Sequence, residues 1–72
     1  MVVKTVNGVM FNTATPRTIN HKKYYWSDHS KDKSKMQRLA MQTRSKGLEA
    51  RVLPTYERGT IWWTLFVHPR SR

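Results

Sequence analysis

The stretch TIWWTLFVH, residues 60–68, holds two of the three tryptophans and one of the two phenylalanines in a chain of 72 residues. Side chains alternate along an extended strand, so Ile61, Trp63, Leu65 and Val67 share one side and Trp62, Thr64, Phe66 and His68 the other. The first set reads as a core face. The second set puts Trp62 and Phe66 on an open face beside Arg51, where the available chemistry is stacking on unpaired bases at about 1–3 kcal/mol per base. The same two rings also suit packing under the N-terminal segment, or a homodimer interface through that open face.

Basic side chains supply a second kind of chemistry. Lys31, Lys35, Arg38, Gln42 and Lys46 fall on one stripe at helical spacing, which suits contacts to phosphates. A lysine-rich helix face is commonly just solvated. Here, however, no acidic residue follows Asp32 in the segment, whereas solvated helices usually interleave both signs to form i,i+4 pairs. A further group, Arg17, His21, Lys22 and Lys23, sits in a polar stretch and suits phosphate contacts that read no bases. The residues expected to touch nucleic acid are therefore Lys31, Lys35, Arg38, Lys46, Lys22, Lys23 and Arg51, with Trp62 and Phe66 for stacking.

Other chemistries find little support. The four acids, Asp28, Asp32, Glu49 and Glu57, are scattered, and no pair is spaced for general acid–base work. The three histidines, His21, His29 and His68, are dispersed and there is no cysteine, so neither a zinc set nor a disulfide framework is expected. The chain reads as a non-enzyme without cofactor or metal.

Charge is the strongest global signal. Fourteen Lys and Arg against four Asp and Glu give a formal net charge of +10, and the sequence pI is near 10.8. That is the electrostatic footprint of a polyanion binder, and self-repulsion at such a charge destabilises a compact state unless a partner offsets it. Nucleic acid, DNA or RNA, is the expected partner, with an acidic protein surface as the alternative. No apolar run approaches the ~20 residues of a membrane span, and no signal peptide is recognisable. The reading is a cytoplasmic protein without membrane insertion.

These residues need elements to position them. Residues 2–6 and 9–12 read as two short strands joined by Asn7-Gly8, the strongest short hairpin signal. Residues 13–23 are polar, contain Pro16 and read as loop, and Tyr24-Tyr25-Trp26 reads as a third short strand. A helix is expected over residues 28–46, about 30–46 at its core, with N-cap oxygens from Ser27, Asp28 or Ser30. Met36, Leu39, Ala40 and Thr43 form its apolar face, and Gly47 is placed as a left-handed C′ residue followed by Leu48. Residues 48–53 form a strand that Pro54 ends. Residues 55–59 make a five-residue hairpin loop, and 60–68 the last strand. The expected fold is α+β: a single small domain over 1–72 with residues 69–72 as a basic tail. One helix packs on a small antiparallel sheet in the order β-β-(β)-α-β-β.

The strand YYW, the helix end and strand "RSKGLEARV" and the closing "FVHPR" resemble the first half of a SPOR-type peptidoglycan-binding domain, over residues 24–70. The resemblance implies an envelope- or glycan-binding half domain. A looser likeness links the chain to the small sheet-plus-helix DNA-binding domains of some phage integrases, and implies a phage or mobile-element protein. The residues themselves favour a small, non-catalytic nucleic-acid binder. The alternative they leave open is an accessory or inhibitor protein docking on an acidic partner, of the kind mobile elements carry.

Overall fold

The computed structural model describes residues 3–69, Thr15 by its backbone. Five strands and one helix follow in the order β1 (Val3–Val6), β2 (Val9–Ile19), β3 (Lys22–Ser30), α1 (Lys33–Ser45), β4 (Glu49–Glu57) and β5 (Thr60–His68). They form one antiparallel sheet with strand order β1-β2-β3-β5-β4. The α+β arrangement and the element order are those expected from sequence. The strand start at Val2 and the basic tail from Arg70 lie outside the described residues.

Strand β5 slots between β3 and β4, so β3 and β4 run parallel and α1 is the crossover that joins them. That crossover lays the helix over one face of the sheet. Met36, Ala40 and Thr43 are buried on its inner side. Met36 and Ala40 share a core with Val9, Phe11, Leu48, Ala50, Leu65 and Val67, against which Val6, Tyr25, Leu39, Val52 and Trp63 also pack. The alternation expected along β5 is therefore correct on its helix side for Trp63, Leu65 and Val67, whereas Ile61 is exposed.

Four local expectations need correction. First, β2 runs on to Ile19 rather than ending at Asn12. Its register against β3 shifts between Asn12 and Arg17, so Pro16 falls in the irregular stretch, where a missing N–H breaks no regular ladder. A tight turn, Asn20-His21, with φ of 52° and 65°, then leads into β3. Both residue types tolerate the left-handed region, but neither announces a hairpin as Asn-Gly does.

Second, residues 28–30 are strand. Asp28, His29 and Ser30 pair with Leu65, Thr64 and Trp63 of β5, and this long-range ladder outweighs their local capping propensity. The helix starts later, capped by Asp32, whose carboxylate accepts from the Lys35 backbone N–H at 3.2 Å.

Third, β4 continues through Pro54, which pairs with Trp63. β4 is a sheet edge, and Pro54 falls at a non-hydrogen-bonded position counted from the closing pair Glu57–Thr60, so it forfeits no ladder bond. Fourth, the β4–β5 connection is a two-residue turn, Arg58-Gly59, rather than a loop of five.

The helix end is as expected. Gly47 has φ of +88°, and its N–H donates to the Arg44 carbonyl at 3.0 Å. Leu48 turns back into the core. Asn7 Nδ2 donates to the Lys46 carbonyl at 3.0 Å and ties the first hairpin to this end of the helix.

Candidate nucleic-acid interface

The sheet face away from α1 carries the site. Alternation and register bring Arg17, Tyr24, Trp26, Arg51, Trp62, Thr64, Phe66 and His68 to it. His29 joins them through a second irregularity: the β3–β5 register shifts between Trp26 and Asp28, so Trp26 and His29, three apart, face the same way. Ser27 sits in that bulge and donates its hydroxyl to the Met10 carbonyl at 2.7 Å.

Among the described residues no element covers this face, yet its central residues are buried. Tyr24 and Thr64 are each 2% exposed, and Phe66 is 7% exposed. The cover comes from side chains of the face itself. The Arg17 guanidinium lies 5.4 Å from the Phe66 ring centre, and that of Arg51 lies 5.8 Å from the Tyr24 ring, with Nε donating to the phenol oxygen at 3.5 Å. The Lys31 ammonium lies 5.3 Å from the Trp62 ring. All three fall within the ~6 Å reach of cation–π attraction, at about 0.5–1 kcal/mol each when exposed.

The rings are also linked to one another. His29 stacks on Trp62 at 4.6 Å and 25°, and Trp26 meets His29 edge-on at 5.3 Å. Tyr24 packs on His68 at 5.5 Å, whose Nδ1 donates to the Lys23 carbonyl at 2.7 Å. Across from Trp62 on β4, Thr55 shares a hydroxyl hydrogen bond of 2.8 Å with Thr64. The result is a row of aromatic rings roofed by cations. Among the described residues, none of Arg17, Lys31 or Arg51 forms an ion pair.

This placement redistributes the expected site residues. Lys31 leaves the helix stripe, because the helix begins after it, and joins the aromatic face. Phe66, expected to stack on bases, has its ring under Arg17 instead. Of the Trp, Tyr and Phe rings on this face, Trp26, 37% exposed, is the most accessible, and it lies outside the set expected from sequence. Tyr24, His29 and His68 likewise lie outside the expected set, and Arg17, expected as a phosphate contact on a loop, stands over Phe66 in β2. Exposed-face aromatics on β3 could have been inferred from YYW, but the bulge that brings in His29 has no local signal.

Lys22 and Lys23 are not part of a free loop. Lys22 Nζ donates to both Glu49 carboxylate oxygens at 2.8 and 2.9 Å, and this ammonium holds the Glu49 carboxyl below its ordinary value. Lys23 is an exposed strand residue.

Lys35, Arg38 and Lys46 remain exposed on α1, on the other side of the molecule. The helix has no acid in its first turn, only Lys33 and Lys35. Cations there oppose the helix dipole at about 0.3–1 kcal/mol each. The Lys33 ammonium rests 4.7 Å from the Trp63 ring, and Arg44 donates to the Ala50 carbonyl at 2.9 Å.

No known protein family, curated protein or solved structure matches the chain. The site must therefore be read from its own chemistry. Asp28 accepts from the His29 N–H at 2.8 Å, Asp32 caps the helix and Glu49 holds Lys22. Among the described residues no three of His, Asp and Glu come together as a metal site, and no helix is long and apolar enough to cross a membrane.

Proposed function

We propose that the protein binds single-stranded nucleic acid on the aromatic sheet face, without catalysis. The observation that carries this reading is the set of cations held over aromatic rings with, among the described residues, no carboxylate in an ion pair with them. A base stacks on Trp26, the most accessible of the Trp, Tyr and Phe rings on that face, and a second replaces Lys31 on Trp62. Arg17, Arg51 and the released Lys31 take the flanking phosphates. The flat face suits splayed bases better than a duplex groove, because stacking needs unpaired rings. A net charge of +10 supports the same partner class.

One observation favours a second reading. Val3 and Met10 are exposed on the same side of the sheet as Trp26, and an apolar patch on a face that also carries Arg17 and Arg51 fits an acidic protein surface.

Tryptophan fluorescence separates the two. Titration with single-stranded oligonucleotides at two salt concentrations should quench emission, and the log–log salt slope should be about −2 if three phosphates are neutralised at roughly 0.7 each. Trp26→Phe and Trp62→Phe should remove most of the quenching. Trp63→Phe, on the helix side, should not. Absence of binding at low salt would reject nucleic acid and turn attention to an acidic protein.

A further inference from the structure

We propose that the outer face of α1 is a second polyanion-binding surface, so that one protein molecule holds two nucleic-acid segments on opposite sides of the sheet. This rests on the single-strand reading of the aromatic face and extends it from binding to bridging.

Three observations support a second surface. The helix Lys33–Ser45 and its cap residue Lys46 contain five cations and no acid. Two of the five have partners within the fold: Arg44 at the Ala50 carbonyl and Lys33 over Trp63. The other three, Lys35, Arg38 and Lys46, are exposed, and among the described residues none forms an ion pair. They recur along about 16 Å of helix axis at 1.5 Å per residue, a straight row suited to a phosphate backbone.

The second observation is local conflict. Lys35 lies in the first turn, where a cation opposes the dipole, and only the Asp32 cap offsets it. A phosphate over this face relieves both that conflict and the self-repulsion of the chain.

The third is separation. The inner side of α1 is buried on the sheet, and the aromatic face lies on the sheet's far side. A strand of about eight nucleotides, within the usual site size of small single-strand binders, fills one face and has little length left to reach the other. Two such strands are held together only if both faces bind.

The test uses two oligothymidylates of about eight nucleotides, one carrying a donor dye and one an acceptor. They cannot pair with each other, so energy transfer reports bridging by protein. Transfer should rise while protein is limiting and fall in excess protein, when each strand occupies its own molecule. In the double variant Lys35→Glu with Arg38→Glu, transfer should drop by about tenfold or more, because two phosphate contacts become repulsive. Tryptophan quenching by a single strand should stay within about twofold of wild type. Replacing the first-turn Lys35 by an acid favours the helix, and circular dichroism checks that the variant is folded.

Transfer retained in the double variant would overturn the proposal. So would a wild-type protein that sediments as a dimer before any strand is added and bridges in that form. Quenching without transfer would reject bridging and leave single-strand binding standing. Neither quenching nor transfer would reject both readings.

Discussion

Leu65 and Phe66 are neighbours in β5 and both are more than nine-tenths buried, yet they are buried by different means. Leu65 lies under α1, in a layer of aliphatic and aromatic side chains contributed by all five strands and the helix. Phe66 lies on the other face, under the guanidinium of a neighbouring side chain. The helix-side cover is held by backbone structure and by burial worth roughly 25 cal/mol per Å² of apolar surface. The cover on the far side is held by attractions of about 0.5–1 kcal/mol each, and a competing anion can draw those cations away. One face is built to stay closed, and the other can be opened by a ligand.

The comparison predicts a graded set of responses. Met36→Ala, at a fully buried helix position, should cost about 2–5 kcal/mol in urea unfolding and leave a domain this size with little stability. Phe66→Ala should cost about 3 kcal/mol, at the low end for phenylalanine, because the flexible Arg17 can settle into the space. A loss above that of Met36→Ala would show the far face to be an equal core.

Trp26→Ala should invert the pattern. Its stability change should stay within about 1 kcal/mol, since the ring is exposed, while single-strand affinity falls by about 1–3 kcal/mol in a fluorescence titration. Arg17→Ala should lower melting stability by about 0.5–1 kcal/mol, the cation–π attraction, and weaken binding at low salt more than at high salt.

Charge substitutions give the smallest effects. Lys35→Glu should raise thermal stability by about 0.3–1 kcal/mol through the helix dipole, with single-strand quenching unchanged. Glu49→Gln tests the Lys22 pair through pH. Lys22 lowers the folded-state pKa of this carboxyl, so its contribution is present above the ordinary carboxylate range. It is lost as pH falls through the lowered folded value. Wild-type and variant stabilities should converge in acid and separate as pH rises toward neutrality.

Much of this architecture was legible along the chain. The period-2 alternation of β5 assigned Trp63, Leu65 and Val67 to the core because a single extended segment fixes which residues share a side. The Met36–Leu39–Ala40–Thr43 face and the Gly47 terminus followed from helical geometry and from the left-handed conformation that glycine accepts. Asn7-Gly8 marked its turn for the same local reason. The excess of cations over acids needed no structure at all.

What the tertiary structure decided was the company each residue keeps. Helical spacing puts Lys31 on the basic stripe, but β3 pairs with β5 as far as Ser30, so Lys31 falls before the helix and turns to Trp62. Composition puts Arg17 in a loop, but the irregular register of β2 carries it to Phe66. The bulge after Trp26 rotates His29 onto Trp62. Each outcome depends on hydrogen-bonded pairing between segments distant in sequence, and a one-residue shift in that pairing reverses the side to which a residue points. The sequence by itself determined how many cations and rings the protein has and which elements form. The sheet register determined that three of those cations stand over rings on one face, while the exposed helix cations stand on the other.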